Sequence, residues 1–232
     1  MFRSSFWQRG VFWLVVAACL QFVVLTAVAM PFYAGGTHTD PTASGYSFLR
    51  NFFSDLGVTE TRAGRPNTIS AALFFTALTL AGVGLVLFFF AFTQFFAGSL
   101  LGKVLSWLGS IFGVASGLCF VGVAFTPANL YLAAHAQFVL WAFRAFPVAV
   151  IFYIVAILCQ RGYPKRFALV FIVFAVLLIA YLFLLTKGPS SQTAEGLMIQ
   201  ATGQKVIVYA SIVSILIQSL GALKVGQRAS GE

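Results

Sequence analysis

Six apolar runs, at residues 11–30, 69–92, 104–125, 136–159, 167–185 and 206–220, limit what this chain can fold into more than any other feature. A helix needs roughly 20 predominantly apolar residues to cross a bilayer, and only the last run is short, extended at its start by Gly203 to Lys205. Hydrocarbon offers no partners to backbone N–H and C=O groups, so runs of this length fold as helices that satisfy their own. Helix-breaking residues fall between them: Pro31, Pro66-Asn67, Gly102-Lys103, Thr126-Pro127, Gly162 with Pro164, and Gly188-Pro189. With 60% hydrophobic and 8% charged residues, against about 25% charged in a soluble domain, the composition agrees. No polar stretch reaches the roughly 50 residues at which a second core becomes practicable. The expected fold is all-α: one transmembrane domain over 1–232, a bundle of six helices.

Basic residues set the orientation. With a cytoplasmic N-terminus, Arg3, Arg9, Lys103, Arg161, Lys165, Arg166, Lys224 and Arg228 lie inside, and Arg50, Arg62, Arg65, Lys187 and Lys205 outside. Eight against five places both termini in the cytoplasm of a multi-pass protein of the cell (inner) membrane. Asp40, Asp55, Glu60 and Glu195 fall outside and Glu232 inside. The net charge of +9 is scattered over the ends of apolar runs, which excludes a nucleic-acid patch. Ala27-Val28-Ala29 resembles a signal-peptidase site, but the preceding run exceeds the usual apolar region of about 7–15 residues, so the first span is read as an uncleaved helix.

Polar chemistry concentrates in the outer connections. The inner ones, 97–103 and 160–166, are short and basic, whereas 31–68 is long and 186–204 moderately so. Within the first, FLRNFFSDLG at 48–57 segregates when wound at about 100° per residue: Phe48, Leu49, Phe52, Phe53 and Leu56 on one arc, Arg50, Asn51, Ser54 and Asp55 on the other. The spacing predicts a short amphipathic helix, capped by Ser47 and ended by a left-handed Gly57. It either lies flat at the interface or turns its polar stripe toward the bundle mouth. The same mouth receives Thr126-Pro127, Asn129 and His135, and Gln204, Lys205 and Tyr209 at the start of the last span. Arg144 stands roughly 13 Å below His135 along the fourth span, where a guanidinium costs about 2.5–3.5 kcal/mol on insertion scales. It should face the interior, with Asp55, or carbonyls freed by Pro147, as its partner. The expected ligand-binding set is Arg50, Asn51, Ser54, Asp55, His135, Arg144, Gln204, Lys205 and Tyr209. Gly109, Gly113 and Gly117 make a flat strip on which a neighbouring helix can sit, and Cys19, Cys119 and Cys159 read as small buried residues.

The residues Asn51, Ser54, Asp55, Leu56 and Gly57, then Pro66-Asn67, then Gly122, Thr126, Pro127 and His135, and finally Gly196, Leu197, Gln204 and Lys205 carry a resemblance over nearly the whole chain. The sequence resembles the uncharacterised prokaryotic six-helix membrane family catalogued as domain of unknown function nine-nine-eight, and more distantly the DRAM-like membrane proteins. That resemblance implies six helices and an outer-face polar cluster, and it supplies no reaction. Lys205 stands where the family more often has arginine, which removes a bidentate fork.

Three classes of function stay open. An enzyme of the ceramidase type holds zinc through three histidines and an aspartate, but this chain has only His38 and His135. Ser54 and Asp55 are adjacent and could not flank His135 in the order a catalytic triad requires. No cofactor or metal is therefore expected. A pocket rich in Arg50, Arg144, Lys205 and His135 suits a lipid head group or small anion, and no inverted repeat marks a transporter. Alternatively the chain is an accessory subunit of a larger membrane complex. Cysteines placed at Thr59 and Ser190 in a cysteine-free background should react with an impermeant maleimide from outside; labelling that needs permeabilisation overturns the orientation.

Overall fold

The computed structural model describes residues 6–229; Arg3 and Glu232 lie outside them. Among the described residues six α-helices are formed: α1 Val11–Ala29, α2 Thr68–Phe92, α3 Leu100–Phe125, α4 Leu132–Cys159, α5 Arg166–Lys187 and α6 Ala194–Ala229. Each belongs to a segment long and apolar enough to cross a membrane, so the chain is a multi-pass membrane protein. Every helix packs against its sequence neighbours, and α6 closes the ring against α1. One end of the bundle carries the turns of α2–α3 and α4–α5 and both helix termini, and is called the terminal end. The other, the distal end, carries the first loop, the α3–α4 turn and the start of α6.

The first five spans begin and end within four residues of the apolar runs. The sixth does not. α6 starts at Ala194, so the expected loop at 186–204 shrinks to 188–193 and Gln204 and Lys205 lie on the helix. Thr193 Oγ1 accepts from Gly196 N at 3.1 Å, a capping bond. Gln200 Nε2 donates to Leu184 O at 2.9 Å and Pro189 O at 3.1 Å, giving a donor to one carbonyl in the last turn of α5 and one just past its end. Gln200, Gln204 and Lys205, which interrupt the apolar run, face partners within the protein, so they leave the helix intact.

The short helix of the first loop is present, but it is a 3-10 helix confined to Phe53–Gly57. Residues 48–51 instead form a turn, with Arg50 N and Asn51 N both donating to Ser47 O. Gly57 has no left-handed φ. A Cβ there would fall on the Phe74 ring, so close approach, not conformation, calls for glycine. Asn67 Nδ2 donates to Leu56 O at 3.0 Å and Val58 O at 2.8 Å, and Ser70 Oγ to Leu56 O at 3.0 Å, fixing this segment on α2.

The terminal end is sealed by aromatic packing. Phe92, Phe96, Tyr153, Tyr163 and Phe167 are buried and in ring contact. Lys165 Nζ donates to Ile157 O, Leu158 O and Gln160 O at 2.6–2.8 Å, capping α4 where its own donors end. The glycine strip of α3 serves two neighbours. A Cβ on Gly109 would meet Tyr153 of α4, and one on Gly113 or Gly117 would meet Phe89 or Val86 of α2. Ser110 Oγ lies between them, 2.5 Å from Phe89 O and 2.7 Å from Tyr153 Oη. Cys19 is buried, but Cys119 is half-buried and Cys159 exposed, against expectation. Gly113→Leu forces the Phe89 ring aside. Overpacking of this kind costs roughly 1–3 kcal/mol, and the expected lowering of the thermal midpoint is read by unfolding in detergent.

Candidate functional site

The distal end is organised around one buried cation. Lys205 of α6 is 2% exposed, and its ammonium donates to Asn51 O and to Ala201 O. Three rings of the first loop surround it, with centroids 5.5 Å (Tyr46), 5.2 Å (Phe48) and 5.6 Å (Phe53) from Nζ. Asn51 is fully buried, and every polar group of its side chain is used: Nδ2 donates to Gly36 O at 2.9 Å and Asp55 Oδ2 at 3.0 Å, while Oδ1 accepts from Ser47 N at 2.9 Å. Asp55 Oδ2 also accepts from Phe52 N at 2.9 Å. Tyr46 Oη donates toward Asn51 O and Phe52 O. Burial and the nearby Asp55 carboxylate push the Tyr33 and Tyr46 hydroxyls above their ordinary range.

This knot presses Phe53 and Leu56 into the mouth of the ring, where both are buried. Phe53 N donates to Gln204 Oε1 at 2.7 Å, and its ring meets Tyr209 edge-on at 5.4 Å. Asn129, in the α3–α4 turn, clasps Thr59 from the far side: Nδ2 donates to the Thr59 hydroxyl at 2.8 Å and Oδ1 accepts from Thr59 N at 3.0 Å. Beneath the plug lies an apolar cavity of about 90 Å³ reaching down to Val15, Leu85 and Phe146. Beside it a larger cleft of about 940 Å³, lined by both polar and apolar side chains, opens between the first loop and the distal parts of α4, α5 and α6. Ser54, Val139 and Gln204 line both.

The cleft presents His38, Asp55, Glu60, Arg62, His135 and Gln137. His135 Nδ1 lies 2.7 Å from Thr126 O, and because a carbonyl only accepts, Nδ1 carries a hydrogen, which in the neutral ring leaves the lone pair on Nε2. Arg62 Nη2 lies 2.9 Å from Nε2 and 3.2 Å from Nδ1 of His38, and donates to whichever of the two carries the lone pair in the neutral ring. Burial lowers the His38 pKa, the Arg62 cation adds to that, and Asp55 opposes it.

The residues expected at one site are thus divided. Ser54, Asp55, His135 and Gln204 reach the cleft; Asn51, Lys205 and Tyr209 build the plug beside it. Arg50 is exposed. Arg144 turns away from the bundle and lies over Trp141, at 5.6 Å, while the Asp55 carboxylate is taken by Asn51 and Phe52. The reason is helical phase: Ala142, Phe143, Phe146, Ala149, Val150 and Tyr153 form the buried face of α4, and Arg144 falls opposite. The excess of positive charge expected from Arg50, Arg144 and Lys205 is therefore not gathered in the cleft. The cleft's charged side chains are Asp55, Glu60 and Arg62. Sequence reading missed His38, Glu60 and Arg62 here. The consecutive glycines Gly35 and Gly36, both with positive φ, were the available signal of a tight turn that brings His38 back to Arg62.

No family model matches the chain, and comparison with curated proteins and with solved structures yields no match. The motif residues scattered along the sequence nevertheless converge at this end: Asn51 with Asp55 and Lys205, Asn67 with Leu56, Thr126 with His135, and Gln204 with Phe53. Lys205→Met removes the ammonium while filling its space, leaving Asn51 O without that donor. Losing a buried bond from a charged donor costs roughly 1.5–3 kcal/mol, so tryptic cleavage at Arg50 and Arg62 should accelerate by about tenfold or more in limited proteolysis.

Proposed function

We propose that the protein binds an amphiphilic membrane molecule at its distal end, with the polar head in the cleft and the apolar chain in the cavity beneath. The observation that carries this reading is that Ser54, Val139 and Gln204 line both spaces, so the two adjoin at these side chains. A molecule occupying both needs the same division. Leu132, Leu140 and Leu185 form part of the cleft wall, which gives the apolar portion a lining on the membrane side as well. His135 Nε2 and the Gln137 amide offer hydrogen bonds to a head group, and Arg62 opposite Asp55 and Glu60 suits one that carries both signs of charge or none better than a simple anion. With both termini cytoplasmic, the cleft faces away from the cytoplasm. Membership of the uncharacterised six-helix family belongs to the same proposal, supported by the convergence of its motif residues.

Ser54 is half-buried where the two spaces adjoin, and a larger side chain there should separate them while leaving the Asn51, Lys205 and Gln204 hydrogen bonds in place. Native mass spectrometry of the protein in mild detergent should show a lipid-mass adduct on the wild type. Ser54→Phe should reduce that adduct to background at an unchanged thermal midpoint. A wild type without an adduct, or a variant that keeps it, overturns the reading.

A further inference from the structure

Arg144 stands where a cation has least access to water. Along α4 it lies about 18 Å from Leu132 and about 22 Å from Cys159, at 1.5 Å per residue. Its side chain is exposed on the outside of the bundle and does not join the lining of the cleft. The guanidinium rests over Trp141, itself 55% exposed, a contact that attracts the charge without neutralising it.

Ionised side chains at this depth are expected to find a counter-charge. This chain has none to give: its five acidic residues are Asp40, Asp55 and Glu60 in the first loop, Glu195 in the first turn of α6, and Glu232 at the C-terminal end of the sequence. The same inventory excludes a second copy as the source of a carboxylate at mid-depth. Along the outward face, Trp141, Arg144, Val148, Ile151 and Val155 recur at alternating intervals of three and four residues, the spacing of a helix–helix seam.

We propose that this face of α4 docks a transmembrane helix of a different polypeptide, one carrying an aspartate or glutamate level with Arg144. Charge complementarity specifies that partner, and the inference stands apart from the cleft, so its failure and the failure of amphiphile binding are read separately.

The test uses synthetic helices of a leucine-rich sequence, each with a benzophenone beside a central glutamate, glutamine or leucine, co-reconstituted with the full-length protein in phosphatidylcholine vesicles and cross-linked by light. The glutamate helix should label peptides containing Trp141 and Arg144 at least about fivefold more than the leucine helix. Arg144→Gln should reduce that labelling to the leucine level, and Arg144→Glu should restore it with a helix carrying a central arginine. Thermal midpoints of both variants report whether the bundle is intact. Labelling that is indifferent to the central residue or to Arg144 overturns the proposal, as does cross-linking of two copies of this chain through the α4 face. So does a spin label at position 144 whose water accessibility equals that of the bilayer surface, because lipid head groups then satisfy the cation.

Discussion

The distal half of the molecule depends on how the Lys205 ammonium is kept out of water. A cation buried this deeply is tolerable only when donors meet acceptors on every side, and here Asn51 O, Ala201 O and three aromatic faces supply them. Those acceptors come mostly from the first loop, so the loop cannot leave α6 without stranding the charge. Its position then decides everything above the membrane-spanning core. Phe53 is held over the apolar cavity, Asp55 is turned along one wall of the cleft, and Ser54 is left where the two spaces adjoin.

The bundle was legible because hydrocarbon imposes one requirement on every span, and the sequence meets it six times. The phase of each span was not. In a soluble helix the polar face marks the outside, but in a membrane both faces are apolar, and Arg144 was placed inward on the cost of a charge alone. The pattern Ala142, Phe143, Phe146, Ala149, Tyr153 set the interior face instead, through packing that hydropathy does not encode.

The segment at 48–57 shows a second limit. Its residues divide cleanly into two arcs on a wheel, yet Asn51 and Asp55 are buried and Phe48 and Leu49 exposed. The wheel assumes that a helix presents one side to water and the other to grease. Here a turn followed by a 3-10 helix wraps aromatic rings around a cation contributed from 154 residues away. Long-range partners of that kind leave no local period to read. The residue types were still informative: Asn51, Asp55, His135, Gln204 and Lys205 were expected at one end, and they are there.

The closure of α6 against α1 sets the order in which the protein can be completed. A chain made from its N-terminus delivers the first loop long before the helix that holds it, since Phe53 waits for Gln204 and Asn51 for Lys205, 151 and 154 residues downstream. Until the last span enters the membrane, Asn51 O lacks its ammonium and Phe53 N its carbonyl, and the mouth of the ring has no sixth wall. The roof of the structure is thus encoded near its beginning and finished at its end.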